Sequence, residues 1–127
     1  MKFLLLLLLT AMALPLTATT RAADAQGRLR HVVSFKFKPD ATQEQIDAVV
    51  VAFRDLKKSI PQIQVFEWGT NVSPEKHDKG FTHCFILTFQ SEKDRDDYLV
   101  HSEHKKFGQN LGPVLADVFV IDYWVKD

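Results

Sequence analysis

From Phe81 to Gln90 the chain alternates without a break. Phe81, His83, Phe85, Leu87 and Phe89 fall on one side, and Thr82, Cys84, Ile86, Thr88 and Gln90 on the other, which predicts a strand. Ser91 follows where a helix N-cap belongs, with Glu92 and Asp94 placed to favour the helix dipole. A similar alternation spans residues 29–38, with Leu29, His31, Val33, Phe35 and Phe37 on one face and Arg30, Ser34, Lys36 and Lys38 on the wetter one. Pro39-Asp40 ends that strand. The period then changes. Thr42 and Gln45 have capping-box spacing, and Ile46, Val49, Val50, Phe53, Leu56 and Ile60 recur as one helical stripe, closed by Lys57, Lys58 and Pro61.

The remaining elements follow the same logic. Ile63 to Thr70 is a predicted strand with aromatic residues at Phe66 and Trp68, and Asn71 to Gly80 is a polar loop in which His77 is a solvated residue. After His101-Ser102 a further helical stretch runs to about Leu111, where Gly112-Pro113 stops it. Ala116 to Val125 is the last strand, with Val118, Val120 and Trp124 on one face and Phe119, Ile121, Tyr123 and Val125 on the other. The order β-α-β-β-α-β predicts an α+β domain of the ferredoxin-like split-βαβ type, an antiparallel sheet with its helices on one face. Its third and last strands are apolar on both faces, and one layer of helices covers only one. A second copy packed sheet to sheet would cover the other, so a homodimer is expected.

Composition changes this picture mainly at the N-terminus. Lys2, an apolar run from Phe3 to Leu14 and the small-x-small Ala23-Asp24-Ala25 have the three parts of a cleavable signal peptide over residues 1–25. The run falls short of the ~20 apolar residues a membrane span requires. A secreted or periplasmic domain over residues 26–127 is therefore expected. The chain has 16 basic and 16 acidic residues; losing Lys2, Arg21 and Asp24 leaves one net negative charge. A nearly neutral domain without a basic cluster argues against nucleic acid and against an anionic membrane as partners. The lone Cys84 has no internal disulfide partner, and its mid-strand place predicts a buried, inert thiol.

Candidate chemistry comes from histidine and tyrosine. In the predicted topology, the start of the third strand and the end of the following helix share one edge of the sheet. His83 should therefore meet Tyr98, His101 and His104. The series His104, Phe107, Gly108 and Leu111 turns His104 toward the core. His31 is expected some five residues away, roughly 17 Å along the sheet, on the far side of an elongated pocket. Enclosure of such groups by apolar walls suits general acid–base chemistry. It equally suits hydrogen-bonded core histidines that only fix packing. A third alternative, a metal held by His83 and His101-x-x-His104, has neither the HExxH nor a cysteine-bearing spacing, and no metal is expected. No nucleophile motif, phosphate loop or G-x-G-x-x-G occurs, so no cofactor is expected, and helix capping accounts for Ser102.

His31-Val-Val-Ser-Phe-Lys-Phe-Lys, Phe66-Glu-Trp-Gly, Gly80-Phe-Thr-His, Tyr98-Leu-Val-His-Ser-Glu-His and Val120-Ile-Asp-Tyr-Trp together resemble the stress-responsive A/B barrel (Dabb) family, in order, from about residue 29 to 125. The resemblance implies a dimeric α+β barrel. The family includes heat-stable plant stress proteins and a plant polyketide cyclase branch. In that branch a tyrosine and a helix histidine matching Tyr98 and His104 form the acid–base pair of an aldol-type closure, with strand histidines matching His31 and His83 lining the pocket. This chain departs from the common pattern at Ser102, where the family usually has proline after the first helix histidine. The leading expectation is an exported homodimer that binds a small, largely apolar molecule. If it is an enzyme, His104 would remove a proton alpha to a carbonyl, Tyr98 would donate to the developing oxyanion, His83 would orient His104, and His31 and His101 would contribute to binding. The alternative is a non-catalytic stress or stability protein with a structural histidine cluster.

Overall fold

A computed structural model of the chain describes residues 27–127, so the leader expected at residues 1–25 lies outside the described residues. Strand β1 (Leu29–Phe37) leads to helix α1 (Gln43–Ser59), then β2 (Val65–Thr70), β3 (His83–Phe89), α2 (Glu92–Val100), α3 (Ser102–Leu111) and β4 (Leu115–Trp124). The four strands form one antiparallel sheet in the order β2-β3-β1-β4, the ferredoxin-like arrangement that the element order predicts. The second crossover holds two short helices rather than one, because the chain breaks at His101. Among the described residues no helix is long and apolar enough to cross a membrane.

Local chemistry explains the elements. Thr42 and Gln45 form the reciprocal capping box at the start of α1, and Ser91 Oγ accepts from the Asp94 amide to start α2. Residues directly opposite in an antiparallel pair share a face, so His31 and Leu87, or Phe35 and His83, stand on the same side of β1 and β3. That side carries the helices. Phe53 of α1 sits at the centre of the core, 4.7 Å from both Phe85 and Phe107 and 5.7 Å from Phe35, ring centre to ring centre. Leu29, Val33, Leu87 and Phe89 complete the buried floor.

The opposite face of the sheet is open. Cys84 points there and is exposed, not buried, because the alternation that buries Phe85 sends its neighbour outward. Edge strand β4 is exposed on both faces: Phe119, Ile121 and Tyr123 on the open side, and Val118, Val120 and Trp124 on the helix side, are each between 44% and 50% exposed. An edge strand so apolar on two faces is the kind of surface that proteins cover.

Candidate acid–base site

The site is built at the break between α2 and α3. Tyr98 is the one buried residue of α2, an otherwise highly polar helix. The helix stops at His101, whose backbone is extended (φ −62°, ψ 139°). Its Nδ1 accepts from the Glu103 amide at 3.1 Å and so caps α3. The N-cap is thus His101, and the expectation that capping explains Ser102 is corrected: Ser102 is the first residue of α3. With its Nδ1 used in this way, His101 reaches no wall of the cavity described below. His104 lies one turn into α3 and faces Tyr98, with ring centres 4.4 Å apart.

The sheet supplies the second half. The His31 side chain, 7% exposed, lies edge-on to Tyr98 at 5.6 Å. Its Nδ1–H donates to Asp122 Oδ1 at 2.6 Å across the β1–β4 pair. The other carboxylate oxygen of Asp122 accepts from Arg95 Nη1 of α2, also at 2.6 Å. One carboxylate therefore ties together β1, β4 and α2. Neither Asp122 nor Arg95 is picked out by the sequence reading. The available signal is that Asp122 is the one charged residue in the alternating run from Val118 to Trp124, and it stands opposite His31.

Electrostatics assigns the protons. A carbonyl only accepts, so the 3.1 Å contact between His104 Nδ1 and Leu99 O fixes neutral His104 as the Nδ1–H tautomer and leaves a lone pair on Nε2. Burial pushes the His104 pKa below the usual histidine value. Its hydrogen bond to Leu99 works against that, and repulsion from His31 and His101 adds to it. Tyr98 is pushed the other way: burial raises its phenol pKa and the nearby Asp122 carboxylate raises it further. At neutral pH the pair is a neutral imidazole base beside a phenol that keeps its proton. They open on a cavity of about 480 Å3 between sheet and helices, walled by Val33, Phe35, Phe53, Phe107 and Leu111 and joined by His31, Arg95 and Asp122.

The expected convergence of His83 with Tyr98, His101 and His104 does not occur. His83 pairs with Phe35 while His31 pairs with Leu87, an offset of four positions or roughly 13 Å along the sheet. His83 instead stacks parallel to Trp68 at 6.1 Å, stands edge-on to Phe37 at 5.1 Å, and lines a separate cavity of about 700 Å3 together with Cys84, Ile86 and the 77–82 loop. The reason is the path of α2. Tyr98 packs on Phe89, the last residue of β3, at 5.2 Å, so α2 stays near the strand end it leaves and does not retrace β3 to its start. His31, expected on the far side, takes the place intended for His83, and the Leu99 carbonyl takes the orienting role expected of His83. His77 is exposed in its loop.

Comparison with known proteins decides the family. Residues 29–125 match the Stress responsive A/B Barrel Domain (Dabb). The chain belongs to the stress-responsive A/B barrel family. It is 33% identical over 100 residues to the stress-response A/B barrel domain-containing protein HS1 of Arabidopsis thaliana, covering 79% of this chain and 92% of that one. Olivetolic acid cyclase of Cannabis sativa is 27% identical over 95 residues, covering 75% of this chain and 94% of the cyclase. Among solved structures, the hydroxynitrile lyase of Passiflora edulis superposes with a TM-score of 0.73 at 27% identity, over 78% of this Dabb chain and 94% of the lyase. A dimeric protein of ferredoxin-like fold from Bacteroides fragilis superposes with a TM-score of 0.62 at 25% identity, over 76% and 95% of the two chains.

Proposed function

We propose that this Dabb protein is an exported homodimer that binds a small, largely apolar carbonyl compound and performs proton transfer on it without a cofactor. The observation that carries the reading is the pairing of a neutral, tautomer-fixed imidazole with an obligately protonated phenol on one apolar cavity. His104 Nε2 takes a proton alpha to the carbonyl, and the Tyr98 hydroxyl donates to the oxygen as charge develops there. His31, held by Asp122, presents its remaining nitrogen to the same space and helps to place the substrate. Similarity to olivetolic acid cyclase and to a hydroxynitrile lyase supports a cyclase- or lyase-like reaction. The dimeric relative supports the homodimer, and the leader-like residues 1–25 support a secreted or periplasmic location.

The test is ligand mapping by NMR with a panel of aromatic and alkyl ketones. Binding is expected to perturb the ring resonances of His31, Tyr98 and His104 and to leave His83 and Trp68 unmoved. Perturbation confined to His83 and Trp68 would move the site to the other cavity.

A second reading is favoured by the Arg95–Asp122–His31 network, which joins three elements and resembles a structural clasp. In it the protein is a non-catalytic stress or stability protein. It predicts a large fall in melting temperature on replacing His104, whereas a site role predicts little, since functional positions are often not optimised for stability.

A further inference from the structure

The cavity beside His104 carries one guanidinium, and its donors are only partly used. Arg95 of α2 stands three residues before Tyr98, so the two side chains are neighbours on the helix face that lines the cavity. Arg95 Nε donates to Asp96 Oδ1 at 2.9 Å, and Nη1 donates to Asp122 Oδ2 at 2.6 Å. Among the described residues Nη2 has no partner. A guanidinium offers five N–H donors in one plane, and here two carboxylates fix that plane before any ligand arrives. An oxygen that meets Nη2 therefore costs little further ordering of the Arg95 side chain.

The charge of the wall decides which kind of oxygen that is. Arg95, Asp96 and Asp122 all line the cavity, one positive charge against two negative, and no lysine or second arginine lines it. His104 is neutral at neutral pH, and a proton on His31 would bring the sum only to zero. A carboxylate brought to Nη2 meets two carboxylates already on the same guanidinium, and like charges at such range repel. An uncharged carbonyl or hydroxyl oxygen accepts the same hydrogen bond without that repulsion. We infer that Arg95 is a specificity-determining residue of this site, selecting neutral carbonyl compounds with a second uncharged acceptor oxygen and turning carboxylates away. This rests on the carbonyl-binding site proposed above and does not require proton transfer.

The test is NMR titration of the full-length protein with matched aromatic ketones. Each diacetylbenzene isomer is compared with the ethylacetophenone and the acetylbenzoate of the same substitution pattern, so that only the second group changes. At least one diacetylbenzene is expected to bind roughly tenfold more tightly than its ethyl counterpart, and more tightly than its carboxylate counterpart. The Arg95 side-chain N–H resonance is expected to shift with that diketone and not with the ethyl ketone. Arg95→Met is expected to bring the diketone and the ethyl ketone to equal affinity. Asp96→Asn, at a side chain 63% exposed, is expected to strengthen acetylbenzoate binding about two- to fivefold. Should Arg95→Met fail to fold, the Arg95 resonance and Asp96→Asn decide the question without it. Equal binding of diketone and ethyl ketone by the unsubstituted protein, or tighter binding of the carboxylate, would overturn the inference and leave the carbonyl site standing. No shift at His31, Tyr98 or His104 with any of these ketones would refute the proposed site itself, and this specificity with it.

Discussion

Tyr98 and His104 are six residues apart and their ring centres are 4.4 Å apart. On one unbroken helix, six residues correspond to about 600° of rotation, which puts the two side chains about 120° out of line. Their contact depends on the break at His101, where an imidazole that caps the next helix lets the chain turn. Replacing His101 by Ala removes the cap and is predicted to destabilise the domain by about 1 kcal/mol. It is also predicted to lower proton-transfer activity by loosening the Tyr98–His104 pair. His101→Asn, a good cap, is expected to restore both; urea unfolding and turnover in parallel check this.

Tyr98→Phe keeps the ring in the core and removes only the donor. It is predicted to lower turnover by about 10²–10³-fold, the usual effect of losing one oxyanion donor, with little change in the unfolding midpoint. A large loss of stability with unchanged turnover would favour the structural reading.

Asp122 holds His31 and Arg95 at once, so Asp122→Asn weakens two contacts. Both Arg95 and Asp122 are partly solvated, with side chains 20% and 23% exposed, which limits the effect. A loss of about 1–3 kcal/mol in chemical unfolding is predicted, with the larger consequence being a less ordered His31 ring.

Burial lowers the pKa of both His104 and His83 below the ordinary 6.5. Between the lowered folded value and 6.5 the unfolded chain binds more protons than the folded one, so stability rises with pH across that window. Stability from these two groups is therefore complete above 6.5 and is lost as pH falls through the folded values. Unfolding midpoints between pH 5 and 7.5 are predicted to fall less steeply in His83→Asn and His104→Asn than in the unsubstituted chain. An unchanged slope in both would contradict the assignment.

Much of the fold is legible in the sequence because periodicity and turn chemistry agree. The β1 alternation, the Thr42–Gln45 box and the Ser91 cap each specify an element locally, and the strand order follows from their sequence. The site is legible only in part. His104 is marked by helical spacing, and both it and Tyr98 by family resemblance, but their neighbours depend on where α2 lies over the sheet. No local pattern encodes that. The strand offset between His31 and His83 can be estimated from rise per residue, yet which of the two meets Tyr98 is decided by Tyr98 packing on Phe89. Asp122 is hidden for the same reason, since a lone carboxylate in an apolar strand carries no motif until register sets it opposite His31. Cys84 illustrates a different limit: alternation gives its face correctly, but burial depends on whether anything covers that face.

Hydrogen–deuterium exchange alpha to a carbonyl tests the acid–base assignment without knowledge of the natural substrate. A panel of small aromatic and alkyl ketones is incubated in deuterated buffer with the protein, with His104→Ala and with Tyr98→Phe, and deuterium uptake is followed by NMR. At least one ketone is predicted to exchange above the buffer rate with the unsubstituted protein and about 10²-fold or more slowly with His104→Ala. Exchange at the buffer rate throughout, or equal exchange with and without the His104 imidazole, would contradict it.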